Sequence, residues 1–132
     1  MDQAIFEKIQ ETLTGALGIE KEEIKVDSSL TRDLGAESID FIDIIFRLEK
    51  TFDIKIPSGE LFPANILNDE KYVKEGVVTQ EGLVLLRENY SYLDLTEFSK
   101  DPQVGKLAEQ FTVKMIVVYI QDRLSKKAES KA

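Results

Sequence analysis

From Ser38 to Phe52 the chain reads SIDFIDIIFRLEKTF, with no glycine or proline, and this segment limits the possible folds more than any other. At about 100° per residue, Phe41, Ile44, Ile45, Leu48 and Phe52 share one broad helical face, which the pattern assigns to a core. Asp40, Asp43, Arg47 and Lys50 fall opposite, and Ile39, Ile42 and Phe46 form a second apolar stripe on the flank next to Ser38. A helix with two apolar stripes is either enclosed by a large protein or shows one stripe to something else. A chain of 132 residues has room for one modest core, so the second stripe is expected to face a partner or ligand.

The flanking segments complete a helical plan. Ile5, Phe6, Ile9, Leu13, Ala16 and Leu17 recur at helical spacing and predict a first amphipathic helix over 2–17, ended near Gly18. Residues 19–37 sustain no period, so they read as a long loop pinned to the core by Ile24, Val26, Leu30 and Leu34. After Pro57 the pattern changes. A turn or hairpin is expected around Glu75-Gly76, a helix from Thr79 or Gln80 to about Asn89, and more apolar surface from Tyr90, Tyr92, Leu93, Leu95 and Phe98. Asp101-Pro102 has the form of a helix start, predicting a short helix through Leu107 to about Gln110. Thr112 is a candidate cap for a last helix carrying Val113, Ile116, Val117, Ile120 and Leu124, and the tail 125–132, which has no large apolar residue, is expected to fray.

Composition excludes most chemistry. The chain has neither Cys nor His, which removes disulfides, thiolate nucleophiles, imidazole bases and the usual zinc ligands. Its acids are scattered along amphipathic helices, with no spacing that suggests a metal loop or a paired-carboxylate site, so neither a metal nor an enzyme activity is expected. A formal charge of -8 argues against nucleic acid and for basic partner surfaces. The acidic, amphipathic start of the sequence and the absence of any long apolar run give no membrane span and, as the default expectation, a cytoplasmic monomer.

The block Asp33-Leu34-Gly35-Ala36-Glu37-Ser38-Ile39-Asp40, running on to Phe52-Asp53-Ile54-Lys55-Ile56-Pro57, resembles the signature of acyl carrier proteins. In that family a serine in a DLG-x-DSL-D segment opens the second helix, which runs out to an F-D-x-x-I-P ending. A final helix beginning Thr112-Val113 agrees. The resemblance spans about 2–57 and 101–124. It implies an all-α, four-helix acyl-carrier-like bundle in one carrier domain over 1–132, interrupted by a partly helical insert over about 58–100.

The resemblance also implies a function without catalysis. A phosphopantetheinyl transferase would attach 4'-phosphopantetheine from coenzyme A to Ser38, and the thiol of that arm would carry acyl groups as thioesters for fatty-acid, specialised lipid or polyketide synthesis. A helix amino terminus, with its unpaired N–H groups, suits a phosphodiester. Glu37, Asp40, Asp43 and Glu49 would meet basic docking patches on ketoacyl synthases, acyltransferases and other acyl-processing enzymes, and Ile39 and Phe46 would touch those partners beside the arm. Phe41, Ile45, Leu48, Ile56, Ile116 and Tyr119 read as core first and as a possible lining for the acyl chain second.

Each assignment has a plainer counterpart. Ser38 would be a simple helix N-cap, the acids a solvated face diluted by Arg47 and Lys50, and the stripe a surface packed under the insert. Glu37 and Ile39 stand where Asp and Leu are typical, which bears on partner choice. The insert, with Leu61, Phe62, Leu85, Leu86, Tyr90 and Phe98, would widen an acyl site, add a docking surface or extend the core, and it suggests a carrier dedicated to an unusual acyl chain or a separate synthase. The rival functions are an aminoacyl or peptidyl carrier, whose serine usually follows a Gly-rich, less acidic segment, and an unmodified interaction module of the same fold.

Overall fold

The computed structural model describes residues 2–57, 59–90 and 93–131, and the side chains of Ser38, Ala64, Asn65 and residues 128–131 lie outside that description. Tyr92 therefore lies outside the described residues as well. The chain divides into two compact units, one of residues 1–56 and 112–132 and the other of residues 57–111.

The first unit is built from three helices, α1 (Gln3–Leu17), α2 (Ser38–Phe52) and a long carboxy-terminal helix, Val113–Lys131. Asp2 caps α1 by accepting from the N–H of Ile5 at 3.1 Å. Ile9 and Leu13 of α1, Ile44 and Leu48 of α2, and Val113, Ile116, Val117 and Ile120 of the last helix are each 0% exposed and make the centre of the core. The predicted core positions Phe41 and Ile45 are half-buried, at the edge of that face. The loop between α1 and α2 is ordered by the residues expected to pin it, since Ile24, Leu30 and Leu34 are buried and Val26 is half-buried. It also joins the last helix, because Ser29 bridges Thr112 and the N–H groups of Val113 and Lys114 bond to the carbonyls of Ser28 and Val26. Thr112 caps that helix as expected, its hydroxyl accepting from the N–H of Met115 at 3.2 Å.

The last helix runs on through the tail expected to fray. It continues to Lys131 because 125–131 are mostly good helix formers and two lysines are tied down, Lys126 to Asp122 at 3.1 Å and Lys127 to the carbonyl of Asp53 at 2.5 Å.

The second unit holds α3 (Ala64–Leu67), a hairpin of β1 (Val73–Lys74) and β2 (Val77–Val78), α4 (Gln80–Asn89) and α5 (Val104–Ala108). The Val113–Lys131 helix is α6, and short 3-10 turns occupy Lys21–Glu23 and Phe98–Lys100. The hairpin turns on Glu75 and Gly76, both at positive φ, the geometry of a two-residue primed turn in which glycine is favoured. Thr79 caps α4 through the N–H of Gly82. Leu61, Phe62, Leu86, Tyr90 and Phe98 are buried with Leu107 and Phe111, so most of the insert's apolar residues build a core within 57–111, and Leu85 is half-buried.

Two boundaries move. The unit runs to Phe111, so the segment 101–110 assigned to the carrier core falls in it. The helix expected from Asp101-Pro102 starts later, at Val104, because Gln103 bridges Val77 and the Pro102 carbonyl accepts from the N–H of Val78 at 2.8 Å. Residues 102–103 are held extended against the hairpin, and extended backbone cannot open a helix.

Candidate functional site

The loop before α2 is fixed by its own polar groups. The Asp33 carboxylate accepts from the N–H of Ser29 at 2.7 Å, and the N–H groups of Asp33 and Leu34 both return to the Ser29 carbonyl. These bonds, with the Arg32 guanidinium at 3.4 Å, hold the Asp33 carboxyl below the ordinary aspartate value. Gly35 has φ of 73°, a left-handed turn that a side chain would strain, and the next N–H, from Ala36, bonds to the Leu30 carbonyl at 2.8 Å. The Asp-Leu-Gly part of the motif is therefore a compact turn that delivers the chain to α2.

At the start of α2 the capping work falls on Glu37 and Asp40. Glu37 is extended, at φ -107° and ψ 168°, and its N–H is bound by the Asp40 carboxylate at 2.8 Å. Ser38 is the first helical residue, so the plain N-cap reading does not apply to it. The serine backbone is thus placed in the first turn of a helix, and a helix amino terminus is a setting that accommodates a phosphate ester.

The second stripe is exposed. Ile39, Ile42 and Phe46 are 72%, 62% and 59% accessible, whereas Ile44 and Leu48 on the same helix are 0%. The acids beside it have structural duties. Asp40 belongs to the cap, Asp43 pairs with Arg47 at 2.9 Å, and Glu49 accepts from the N–H of Ile56 at 2.9 Å, closing the turn after the helix. Glu49 is thus bound inward, and the acidic character of α2 is concentrated in its first half. Of the residues named for an acyl lining, Leu48, Ile56 and Ile116 are buried and Phe41, Ile45 and Tyr119 are half-buried.

One feature escaped the sequence reading. An open cleft of about 770 Å³ lies between the carboxy-terminal end of α2 and α6, with Phe46 and Ile54 as apolar wall. Lys50, Lys55, Arg123, Lys126 and Lys127 line it, against Glu49 and Asp53. Arg123 donates to the Lys55 carbonyl at 2.9 Å and Lys127 holds the carbonyl and carboxylate of Asp53, so α6 supplies the far side. The only hint in the sequence was the Lys126-Lys127 pair, placed in a tail expected to fray.

Residues 7–67 match the family described as the phosphopantetheine attachment site. That match runs past Pro57 through α3, further than the resemblance read from the sequence. An acyl carrier protein of Clostridium acetobutylicum is 39% identical over 71 residues, which cover 53% of this chain and 92% of that protein. One of Guillardia theta is 38% identical over 56 residues, 42% of this chain and 69% of the relative, and one of Cyanidioschyzon merolae is 38% identical over 58 residues, 44% and 64%. The chain belongs to the acyl carrier protein family. It is accordingly a carrier and not an enzyme, and the group it holds is 4'-phosphopantetheine. No described helix is long and apolar enough to cross a membrane.

Proposed function

We propose that Ser38 is the attachment residue and that the chain carries acyl groups as thioesters, in fatty-acid synthesis or a specialised lipid or polyketide pathway, as a cytoplasmic monomer. The observation that carries this reading is the position of Ser38 as first residue of α2, with the cap supplied by Glu37 and Asp40 instead. In the loading reaction the Ser38 hydroxyl oxygen displaces at the phosphorus of coenzyme A that bears pantetheine. A phosphodiester forms, the pyrophosphate bond breaks, adenosine 3',5'-bisphosphate leaves, and the hydroxyl proton passes to a base of the transferase. When attached, the arm supplies a terminal thiol, a group this cysteine-free chain has nowhere else.

Partner enzymes are read as meeting the exposed stripe of Ile39, Ile42 and Phe46 together with Glu37, Asp40 and Asp43. Charges placed this way mainly speed and sort encounters, and the apolar side chains supply contact area. The 57–111 unit, with a core of its own, supports a carrier dedicated to one synthase or cargo rather than a general one.

Intact mass of the protein and of Ser38→Ala, before and after incubation with coenzyme A and a broad-specificity phosphopantetheinyl transferase, tests the reading. A gain of one phosphopantetheine on the parent alone is expected. No gain on the parent, or an equal gain on the variant, would overturn it.

A further inference from the structure

We propose that the cationic cleft between the carboxy-terminal end of α2 and α6 docks on an anionic lipid surface, with Phe46 as the apolar anchor, so that the carrier associates peripherally with a membrane. The proposal stands apart from what Ser38 carries, because none of its residues belongs to the attachment motif.

Charge is the first support. The chain is -8 overall, yet five cations line this cleft against two carboxylates. Both carboxylates are engaged, Glu49 by the N–H of Ile56 and Asp53 by Lys127. Lys126 pairs with Asp122 in the open, where such a pair is worth little, and Lys50 and Lys55 make no ion pair among the described residues. The acids at the other end of α2 do not cancel this excess. Asp43 is paired with Arg47, and Asp40 lies about 15 Å along the axis from Lys50, beyond the screening length of about 8 Å at physiological salt. A local cationic surface therefore persists on an acidic protein.

Apolar contact is the second. Residues 39, 42, 46 and 50 succeed one another at spacings of three or four, so the exposed side chains of Ile39, Ile42 and Phe46 run along one face of α2 into the cations. Phe46 is itself part of the cleft wall. Exposed apolar groups beside lysines are the combination that holds a protein at an anionic interface, since either signal alone gives only marginal binding.

The kind of cation is the third, and it favours a layer of headgroups over one shaped ligand. Four of the five are lysines, whose ammonium groups act as point charges without a fixed fork. The one guanidinium, of Arg123, already donates to the Lys55 carbonyl. The five come from the end of α2, the turn after it and α6, spread around an open cleft of about 770 Å³. Such a set responds to the density of negative charge.

The test is flotation of the full-length protein with vesicles of phosphatidylcholine alone and of phosphatidylcholine with about one-third phosphatidylglycerol, at about 0.1 M salt. Binding to the anionic vesicles only is expected, with loss at about 1 M salt, where the screening length falls to about 3 Å. Lys50→Glu with Lys55→Glu, both exposed, is expected to weaken that binding by about tenfold or more, and Phe46→Ala by several-fold. Lys71→Glu with Lys74→Glu changes the net charge equally at exposed positions of the 57–111 unit, and binding is expected to stay within about twofold of the parent. Thermal melts of each variant confirm that it is folded. No binding to anionic vesicles, equal binding to both kinds, or equal losses from the two double substitutions would overturn the proposal. Shifts of the Lys50 and Lys55 side-chain NMR signals with inorganic phosphate, but none with anionic vesicles, would also overturn it and give the cleft to a soluble phosphate.

Discussion

The two apolar faces of α2 are made of the same residue types and do opposite things. Ile44 and Leu48 are wholly buried, and each such side chain withdrawn from water contributes on the order of 2 kcal/mol to folding. Ile39, Ile42 and Phe46 remain in water, where they contribute nothing to the isolated fold and keep that energy for a partner or for the cargo. A helix that served only the fold would carry polar residues at the second set. The difference teaches that hydrophobicity marks function where the surrounding chain has not covered it.

Removing a side chain from each face should break this comparison if it is wrong. Leu48→Ala is expected to lower stability by about 2–5 kcal/mol, from lost burial and the cavity left behind. Phe46→Ala, although it deletes a larger group, is expected to stay within about 0.5 kcal/mol, the usual range for a surface change. Urea denaturation of both variants measures this, provided their slopes agree with the parent's. Comparable losses would mean that the stripe is covered in solution.

Kinetics should show the reverse ranking, with smaller effects. Phe46→Ala and Ile39→Ala are each expected to reduce kcat/KM for loading by the transferase about tenfold, the cost of truncating an apolar anchor at an interface. Stability should be unchanged in the same samples. If neither variant loads more slowly, the stripe serves the cargo or a later enzyme, not the transferase.

Local periodicity made much of this legible. The two stripes of α2, the first helix, the Thr112 cap, the Glu75-Gly76 turn and the span of α4 follow from spacing and turn chemistry, and the structure has them. The failures came where a partner distant in sequence decides the outcome. Asp101-Pro102 has every mark of a helix start, but pairing with the hairpin holds 102–103 extended. Lys126 and Lys127 looked like a solvated tail, but bonds to Asp122 and to Asp53 make them one wall of a cleft. In each case the local preference was real and a tertiary or competing polar contact outweighed it.

The loop that presents Ser38 should be sensitive to acid through Asp33. Its carboxyl is held low chiefly by the bond from the Ser29 N–H, so the folded pKa lies below the unfolded one. Such a group stabilises the fold above the unfolded value, and the contribution disappears as pH falls below about 4 toward the folded value. Asp33→Asn should therefore flatten the acid limb of the stability curve below about pH 4 while lowering stability at neutral pH. Thermal melts of parent and variant between about pH 2.5 and 7 measure this, and parallel acid limbs would show that the Ser29 contact does not distinguish the folded state.

The smallest effect belongs to the acids beside the stripe, and it separates their two roles. Asp43 and Arg47 form an i,i+4 pair at 2.9 Å with side chains 48% and 45% exposed, so solvent screens the attraction. Arg47 also lies against α1, where a methyl group on Gly15 would stand 2.8 Å from its guanidinium, so changing the arginine would disturb packing as well as charge. Asp43→Asn is the cleaner substitution. It is expected to cost about 0.3–0.5 kcal/mol at low ionic strength and close to nothing at about 1 M salt, where the screening length is about 3 Å. If Asp43 also meets a basic patch on the transferase, the same change should lower kcat/KM by more than the stability loss implies, and that excess should fall as salt is raised. A loading rate that does not change in low salt would assign Asp43 to the helix alone and confine the charged part of the partner surface to Glu37 and Asp40.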